Sequence, residues 1–348
     1  MVSVPVFGCA VSSFLQTYLG LPLSPYKLRM SDLSTTIAKC DLHLSGWRGR
    51  SLPIGGRLIL VNSVISAKFA HVMSACLLPA SVIEAIDKRR RAFLWTGEET
   101  CTGGHCKVAW DEVCKPKKLG GLGVLSISSQ NSALLSKTLS KLHSPSDAPW
   151  NLWFHRQYGW SDSRDLGYPH YLDTPIWKSV VDGLASFRLH SSVSLANGRH
   201  TAFWLDCWIG DSPLSTRFPA LFSHTTRPHA QVAAVMGTAI SLSLVPRLSS
   251  TASTELASLM EDLQTINLTQ QEADARVCRY SQKPFTNKDF YANFFRHATT
   301  DELAVKVWKN AAPLKCRIFN WLVRRRRLPT NDRRFRHQLG ATDRKSVV

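Results

Sequence analysis

Apolar residues recur at helical spacing through the first 145 positions. Leu33, Ile37, Cys40 and Leu44 fall at i, i+4, i+7 and i+11, one stripe of a helix that starts after Ser31 or Asp32 and ends near Gly46. Beyond Gly55-Gly56, the set Leu58, Val61, Ile65, Phe69, Val72, Met73 and Cys76 repeats the pattern and stops before Pro79. Ser81 and Glu84 have capping-box spacing ahead of Ile83, Ile86, Ala92 and Phe93, predicting a third helix to about Trp95. The Gly- and Lys-rich stretch from Cys101 to Gly123 reads as loop. A fourth helix, from about Ser129 to His143, puts Leu134, Leu135, Leu139 and Leu142 on its buried side, and Ser-Pro-Ser-Asp-Ala-Pro ends it.

The middle of the chain has a different period. Val193 and Leu195 alternate with polar neighbours, Asn197-Gly198 follows, and Thr201 to Trp208 resumes an apolar run, which predicts a β-hairpin near 191–208. The Ser/Thr/Ala-rich tract from Ser241 to Leu259 fits either a linker or a helix. Phe290 to Phe295 and Val305 to Leu322 read as two amphipathic helices separated by a polar turn, with Pro313 beginning the last helix. The fold class expected is mainly α with a small β-hairpin portion (α+β).

Charge changes the picture next. The chain of 348 residues carries 43 Lys plus Arg against 25 Asp plus Glu, a net +18 that favours a polyanionic partner. The excess sits at the two ends: residues 1–145 hold 17 basic and 8 acidic groups and residues 301–348 hold 13 and 4, while 146–270 hold 8 and 10. Two separate anion-facing surfaces follow from such a split better than general solubility does. Nine scattered cysteines, with no charged n-region or long apolar core at the N-terminus, point to reduced thiols in an intracellular protein. The most apolar stretch, Leu58 to Leu78, is interrupted by Lys68 and His71 and carries Asn62 and Ser63, so it reads as a buried helix and no membrane is implied.

A series of short motifs then becomes specific through its order. These are Tyr18-Leu19-Gly20-Leu21-Pro22-Leu23, Leu44-Ser45-Gly46-Trp47, Gly55-Gly56-Arg57-Leu58, Arg90-Arg91-Ala92-Phe93-Leu94-Trp95, Val108-Ala109-Trp110, Cys114-Lys115-Pro116-Lys117 and Gly120-Gly121-Leu122-Gly123. Together they resemble the reverse transcriptase polyprotein of plant LINE-type (non-LTR) retrotransposons, in the stretch that follows the polymerase palm. The resemblance continues through Asn197-Gly198, Phe203 to Trp208, Phe285 to Tyr291, Val307-Trp308, Pro313-Leu314-Lys315, Phe319 to Leu322 and Leu328 to Asp332, the last groups resembling the start of that family's reverse-transcriptase zinc-binding domain. It implies a helical thumb-like region over 1–145, a connector over 146–280 and the truncated helical start of a zinc-binding domain over 281–342.

What is missing bears on function. A polymerase of this type holds two divalent metals on paired carboxylates, in the family a Tyr/Phe-x-Asp-Asp turn. No Asp-Asp pair occurs here, and Glu98-Glu99, Asp111-Glu112, Glu261-Asp262 and Asp301-Glu302 lie in no such setting. No catalytic residue is therefore assigned, and no nucleophile elbow, P-loop or dinucleotide fingerprint is present. The resemblance implies Zn and Mg for the full-length parent and neither for this chain: after Cys316 no cysteine remains, and His337 alone cannot hold zinc. Cys101, His105, Cys106 and Cys114 could be read as a metal cluster, but C-x4-C with one further cysteine is not a strong zinc spacing, and free thiols are the better reading of the three cysteines. The six C-terminal residues, Asp343 to Val348, match the translation of a sequencing adapter, so native sequence is expected to stop near Thr342.

The candidate binding residues are cationic. Arg324, Arg325, Arg326, Arg327, Arg333, Arg334 and Arg336 place seven arginines in 13 residues, more than a helix C-terminus uses for its dipole. Lys88, Arg89, Arg90 and Arg91 lie on the third helix, either gripping a phosphate backbone or forming a polar helix face. Trp204 and Trp208 flank Asp206 and read as core ahead of a base-stacking platform. The expected partner is RNA or DNA, bound non-specifically through phosphate. A domesticated protein-interaction module and a non-functional element relic are the other readings; protein partners are unknown.

Overall fold

The apolar stripe from Leu58 to Cys76 is buried as its spacing requires, with Leu58, Val61, Ile65, Phe69, Val72, Met73 and Cys76 all in the interior. The computed structural model describes residues 16–18, 21–24, 26, 28–44, 49, 51–144, 146–158, 173–238, 240–269 and 272–328. It is mainly helical, with two two-stranded antiparallel sheets. The described residues fall into two compact units, one made of those up to Asn131 together with those from Phe294 onward, the other of Ser132–Asn293. No described helix is long and apolar enough to cross a membrane.

In the first unit, strand β1 (Gln16–Tyr18) pairs with β2 (Leu21–Leu23), Gln16 opposite Leu23. A 3-10 turn over Ser31–Leu33 leads into the helix Ser34–Leu44 and buries Leu33, Ile37 and Cys40. The second predicted helix is broken. It runs as Ile54–Leu60, a π-turn Val61–Ile65, Ser66–Lys68 and Ala70–Ala75. The π-turn turns Asn62 toward a neighbouring loop, where its amide donates to the Gly123 carbonyl at 3.1 Å and accepts from the Leu125 amide at 3.2 Å. Insertion of one residue into a helical turn re-aims a side chain in this way.

The third helix, Ala80–Thr96, ends on Gly97 at φ +80°, the left-handed conformation that glycine adopts without strain. The expected capping box is not formed. Pro79 occupies the N-cap, which places Ser81 inside the first turn, and Glu84 faces Arg91 instead. The Cys101–Gly123 stretch is also more ordered than a loop, because Trp110–Cys114 forms a helix whose Trp110 and Val113 enter the core. That core is completed from far along the chain by Ala304 and Trp308 of the helix Glu302–Lys309 and by Ile318, Trp321 and Leu322 of Leu314–Arg324. Pro313 stands at the N-cap of the latter and so begins the last helix as expected, while the residues before it form the separate helix Glu302–Lys309.

The second unit carries the rest of the helix Ile127–Leu142, then Pro149–Tyr158, Pro175–Asp182 and Leu184–His190, which share a core of Leu139, Trp177, Phe187 and Phe290. The expected hairpin near 191–208 is a correction. Strand β3 (Ser191–Ser194) pairs with β4 (Ala275–Cys278), Ser191 opposite Cys278, while 201–208 forms no strand against it and meets it through the Val193 amide donating to the Cys207 carbonyl at 2.8 Å. The Asn197-Gly198 turn does exist, Gly198 at φ +68°, but its far side is an irregular loop held by carboxylates. Asp274 accepts from the amides of Ala196, Gly198 and His200 and from the Thr201 hydroxyl at 2.7–3.2 Å. Asp206 takes a bidentate contact from the Arg276 guanidinium and lies 3.2 Å from Arg188. Burial alone would raise the Asp206 carboxyl, yet the two guanidiniums hold it well below the ordinary carboxylate range. Trp204 and Trp208 are buried, with the Trp208 indole donating to the Phe203 carbonyl at 2.8 Å, so both are core. The Ser/Thr/Ala tract resolves into a helix, Ser250–Gln264, capped by the Ser249 hydroxyl.

The divisions expected near 145 and 280 therefore differ from the compact units. The helix Asn287–Asn293 buries Phe290 in the second unit, whereas the helices beyond Phe294 pack into the first. Replacing Arg276 with Leu strands a buried carboxylate, and we expect a loss of roughly 3–5 kcal/mol, measured by urea unfolding; a loss under about 1 kcal/mol would show that the pair is not stabilising the loop.

Candidate nucleic-acid interface

The C-terminal arginines are placed by a single carbonyl. Gly120 O accepts from the Trp321 indole at 2.7 Å and from the Arg325 guanidinium at 2.8 Å, joining positions about two hundred residues apart in sequence. Arg325 also reaches Glu112 at 3.0 Å and lies over the Trp321 ring, 5.0 Å from its centroid. Glu112 bridges back to Lys115, and the Lys115 ammonium, followed by Arg325, holds its carboxyl below the usual range against the opposing effect of burial. A second link runs alongside. Asp301 donates its amide to the Lys118 carbonyl at 3.0 Å, caps the helix Glu302–Lys309 through Ala304 at 3.1 Å and pairs with Arg324 at 2.7 Å.

The loop that presents the carbonyl requires its glycines. Gly120 has φ +86°, and a Cβ on Gly121 would lie 1.9 Å from the Lys115 carbonyl oxygen, a distance no rotamer change relieves. Between them they turn Lys117 and Lys118 outward, both exposed, with Lys117 5.2 Å from the centre of the Trp308 ring. The loop of Lys115, Lys117 and Lys118 is thus tied, through the Gly120 carbonyl, Glu112 and Asp301, to the helix that ends in Arg324–Arg327. Linear reading missed these lysines, since nothing local in Pro-Lys-Lys-Leu-Gly-Gly links them to a run two hundred residues later.

The four consecutive arginines do different things. Arg324 and Arg325 are paired as above. Arg326 and Arg327 are exposed at a Schellman-type helix end, where the Arg326 amide donates to Val323 O at 2.8 Å and the Arg327 amide to Leu322 O at 2.9 Å. Arg326 sits at φ +53°, a position glycine usually fills. Arg333, Arg334, Arg336, His337 and the tail from Asp343 lie outside the described residues.

The earlier cluster is largely absorbed into the fold, which corrects the reading of it as a phosphate grip. Arg90 is fully buried, donating to Asp87 and to the Leu125 carbonyl at 2.6 Å each. Arg89 makes a bidentate pair with Asp41 at 2.5 and 3.0 Å. Arg91 packs 5.7 Å from the Trp110 ring with Glu84 at 3.7 Å, which leaves Lys88 as the exposed cation of the four.

Comparison with known proteins agrees with this reading of the chain's ancestry. The family described as zinc-binding in reverse transcriptase matches residues 285–345. The chain is 32% identical over 197 residues to a putative ribonuclease H protein of Arabidopsis thaliana, a match covering 56% of this chain and 32% of that protein. It is 31% identical over 109 residues to an uncharacterized mitochondrial protein of the same plant, covering 30% of this chain and 68% of the relative. The class defined is reverse-transcriptase related. The chain belongs to the plant retrotransposon-derived reverse-transcriptase family and spans about a third of the length of the first of these relatives.

The zinc in that family's description has no matching ligand set here. Within the matched segment Cys316 is the one cysteine, exposed on the outer side of its helix, and His297 and His337 are the histidines. Among the described residues no three His, Cys, Asp or Glu side chains are placed to hold a metal. The segment's helices Glu302–Lys309 and Leu314–Arg324 are held by Trp308, Ile318, Trp321 and Leu322 in the core, an apolar role that a zinc module of this size gives to its metal. Gly121→Ala is expected to cost about 2 kcal/mol or more and to free the C-terminal helices from the loop. Limited proteolysis after Lys309 or Lys315 reads this directly, and unchanged protection would refute it.

Proposed function

We propose that the chain is a LINE-type reverse-transcriptase fragment from beyond the palm, and that it binds RNA or DNA non-specifically through phosphate. The observation that carries the proposal is the convergence on the Gly120 carbonyl, which ties the loop carrying the exposed Lys117 and Lys118 to the helix that ends in the exposed Arg326 and Arg327. Cations clustered on a rigid scaffold neutralise successive phosphates and release counterions, while carrying no base readout. Binding rather than catalysis is the role assigned, because the sequence supplies no Asp-Asp pair for two-metal chemistry.

Salt dependence is the test. Binding of a fluorescent single-stranded oligonucleotide should weaken steeply from low to physiological salt, and Lys117→Gln with Lys118→Gln should flatten the slope of log K against log salt by up to about 1.4. A slope unchanged by that pair would exclude the surface. Arg326→Gly separates binding from folding: it should weaken binding while stabilising the fold by about 0.5–1 kcal/mol, because glycine carries no strain at positive φ.

A further inference from the structure

We infer that Cys101 and Cys106 form a vicinal dithiol that closes to an intramolecular disulfide by exchange with a low-molecular-weight disulfide. Their sulfurs lie 3.6 Å apart, joined by a weak S–H contact. The intervening loop is already folded to bring them together: the His105 amide donates to the Thr102 carbonyl at 3.1 Å, and the Thr102 hydroxyl lies 2.7 Å from His105 Nδ1. Both thiols are partly exposed, whereas Cys40, Cys76, Cys114, Cys207 and Cys278 are buried and Cys316 stands alone on a helix surface. Closure needs about 1.5 Å of approach to reach S–S bonding distance, a movement that the adjacent Gly103-Gly104 can absorb.

Burial and the shared hydrogen bond push the Cys101 thiol up to about 11, opposed by the nearby Arg91 and Lys88. Cys101 therefore rests protonated, and its reaction is slow at neutral pH and faster as pH rises. In the exchange, one thiol gives its proton to solvent and its sulfur attacks oxidised glutathione, expelling one glutathione thiolate and leaving a mixed disulfide. The second thiol, also deprotonated to solvent, attacks the protein-side sulfur and expels the other glutathione. Two protein thiols are oxidised to one disulfide as one glutathione disulfide is reduced to two thiols. Cys106 packs against the first unit's core, so the bond ties the loop following the Ala80–Thr96 helix to that core.

The test uses the whole chain, reduced, freed of reductant and incubated with oxidised glutathione. Denaturing mass spectrometry should show a monomer lighter by two hydrogens, peptide mapping should join Cys101 to Cys106, and the thermal midpoint should rise by a few degrees. Cys101→Ser and Cys106→Ser should each stop at the glutathione adduct, and Cys316→Ser should still close. Persistence of the mixed disulfide in the unsubstituted chain, or a crosslink to any other cysteine, overturns the inference. Phenylarsine oxide on the unsubstituted reduced chain gives a second reading that needs no variant: it should protect both thiols from alkylation, and failure to do so also overturns it.

Discussion

The first unit depends on one acceptor. The Gly120 carbonyl takes two donors from the last described helix, and both lone pairs are needed because the indole N–H and the guanidinium arrive on a surface that Trp321 closes to water. A buried indole N–H without a partner costs roughly 1–3 kcal/mol, so the helix and the glycine loop each satisfy what the other would leave exposed or unpaired. Glu112 extends the same logic outward by accepting from Lys115 and Arg325. The apolar contacts of Trp308, Ile318 and Leu322 supply most of the driving force, but they are non-directional; the hydrogen bonds fix which turn of the helix meets the loop.

The second unit solves a comparable problem with carboxylates. An irregular loop from Ala196 to Trp208 cannot satisfy its own amides, and Asp274 does so for three of them along with the Thr201 hydroxyl. Asp206 binds the Ala202 amide and two guanidiniums. The stretch therefore keeps a defined path with no more than a single bridge, Ala202 to Gln231, and the extended residues at Ser191–Ser194 pair with Ala275–Cys278.

That difference explains what could and could not be read in advance. Helical stripes were legible because burial depends on a local period, and Leu58 through Cys76 lie inside even where a π-turn interrupts the helix. The Asn-Gly turn was legible too, but its hairpin was not, since a strand's partner is chosen by long-range pairing and Arg276 and Asp274 lie some seventy residues on. Ser81 and Glu84 matched a capping box in spacing, yet Pro79 with its fixed φ set the helix start and displaced them. Of the candidate site, the Arg324–Arg327 run was visible as composition; Lys117 and Lys118 were not, because their membership depends on the Gly120 contact.

A run of arginines is thus a poor unit of function. Along a helix, side chains four in a row point in four directions, so at most one or two face the same solvent. Within 88–91 that geometry sends Arg90 into the core and Arg89 across to Asp41, and the charge is spent on packing. Within 324–327 the helix ends, and the left-handed turn at Arg326 breaks the rotation before the sequence of directions is complete. Arg326 and Arg327 leave the helix together and stay exposed, while Arg324 and Arg325 are tied to Asp301 and Glu112. Strain at one backbone position converts a helix face into a cationic tip, and the cost of placing arginine where glycine is easier makes sense if that tip meets phosphate.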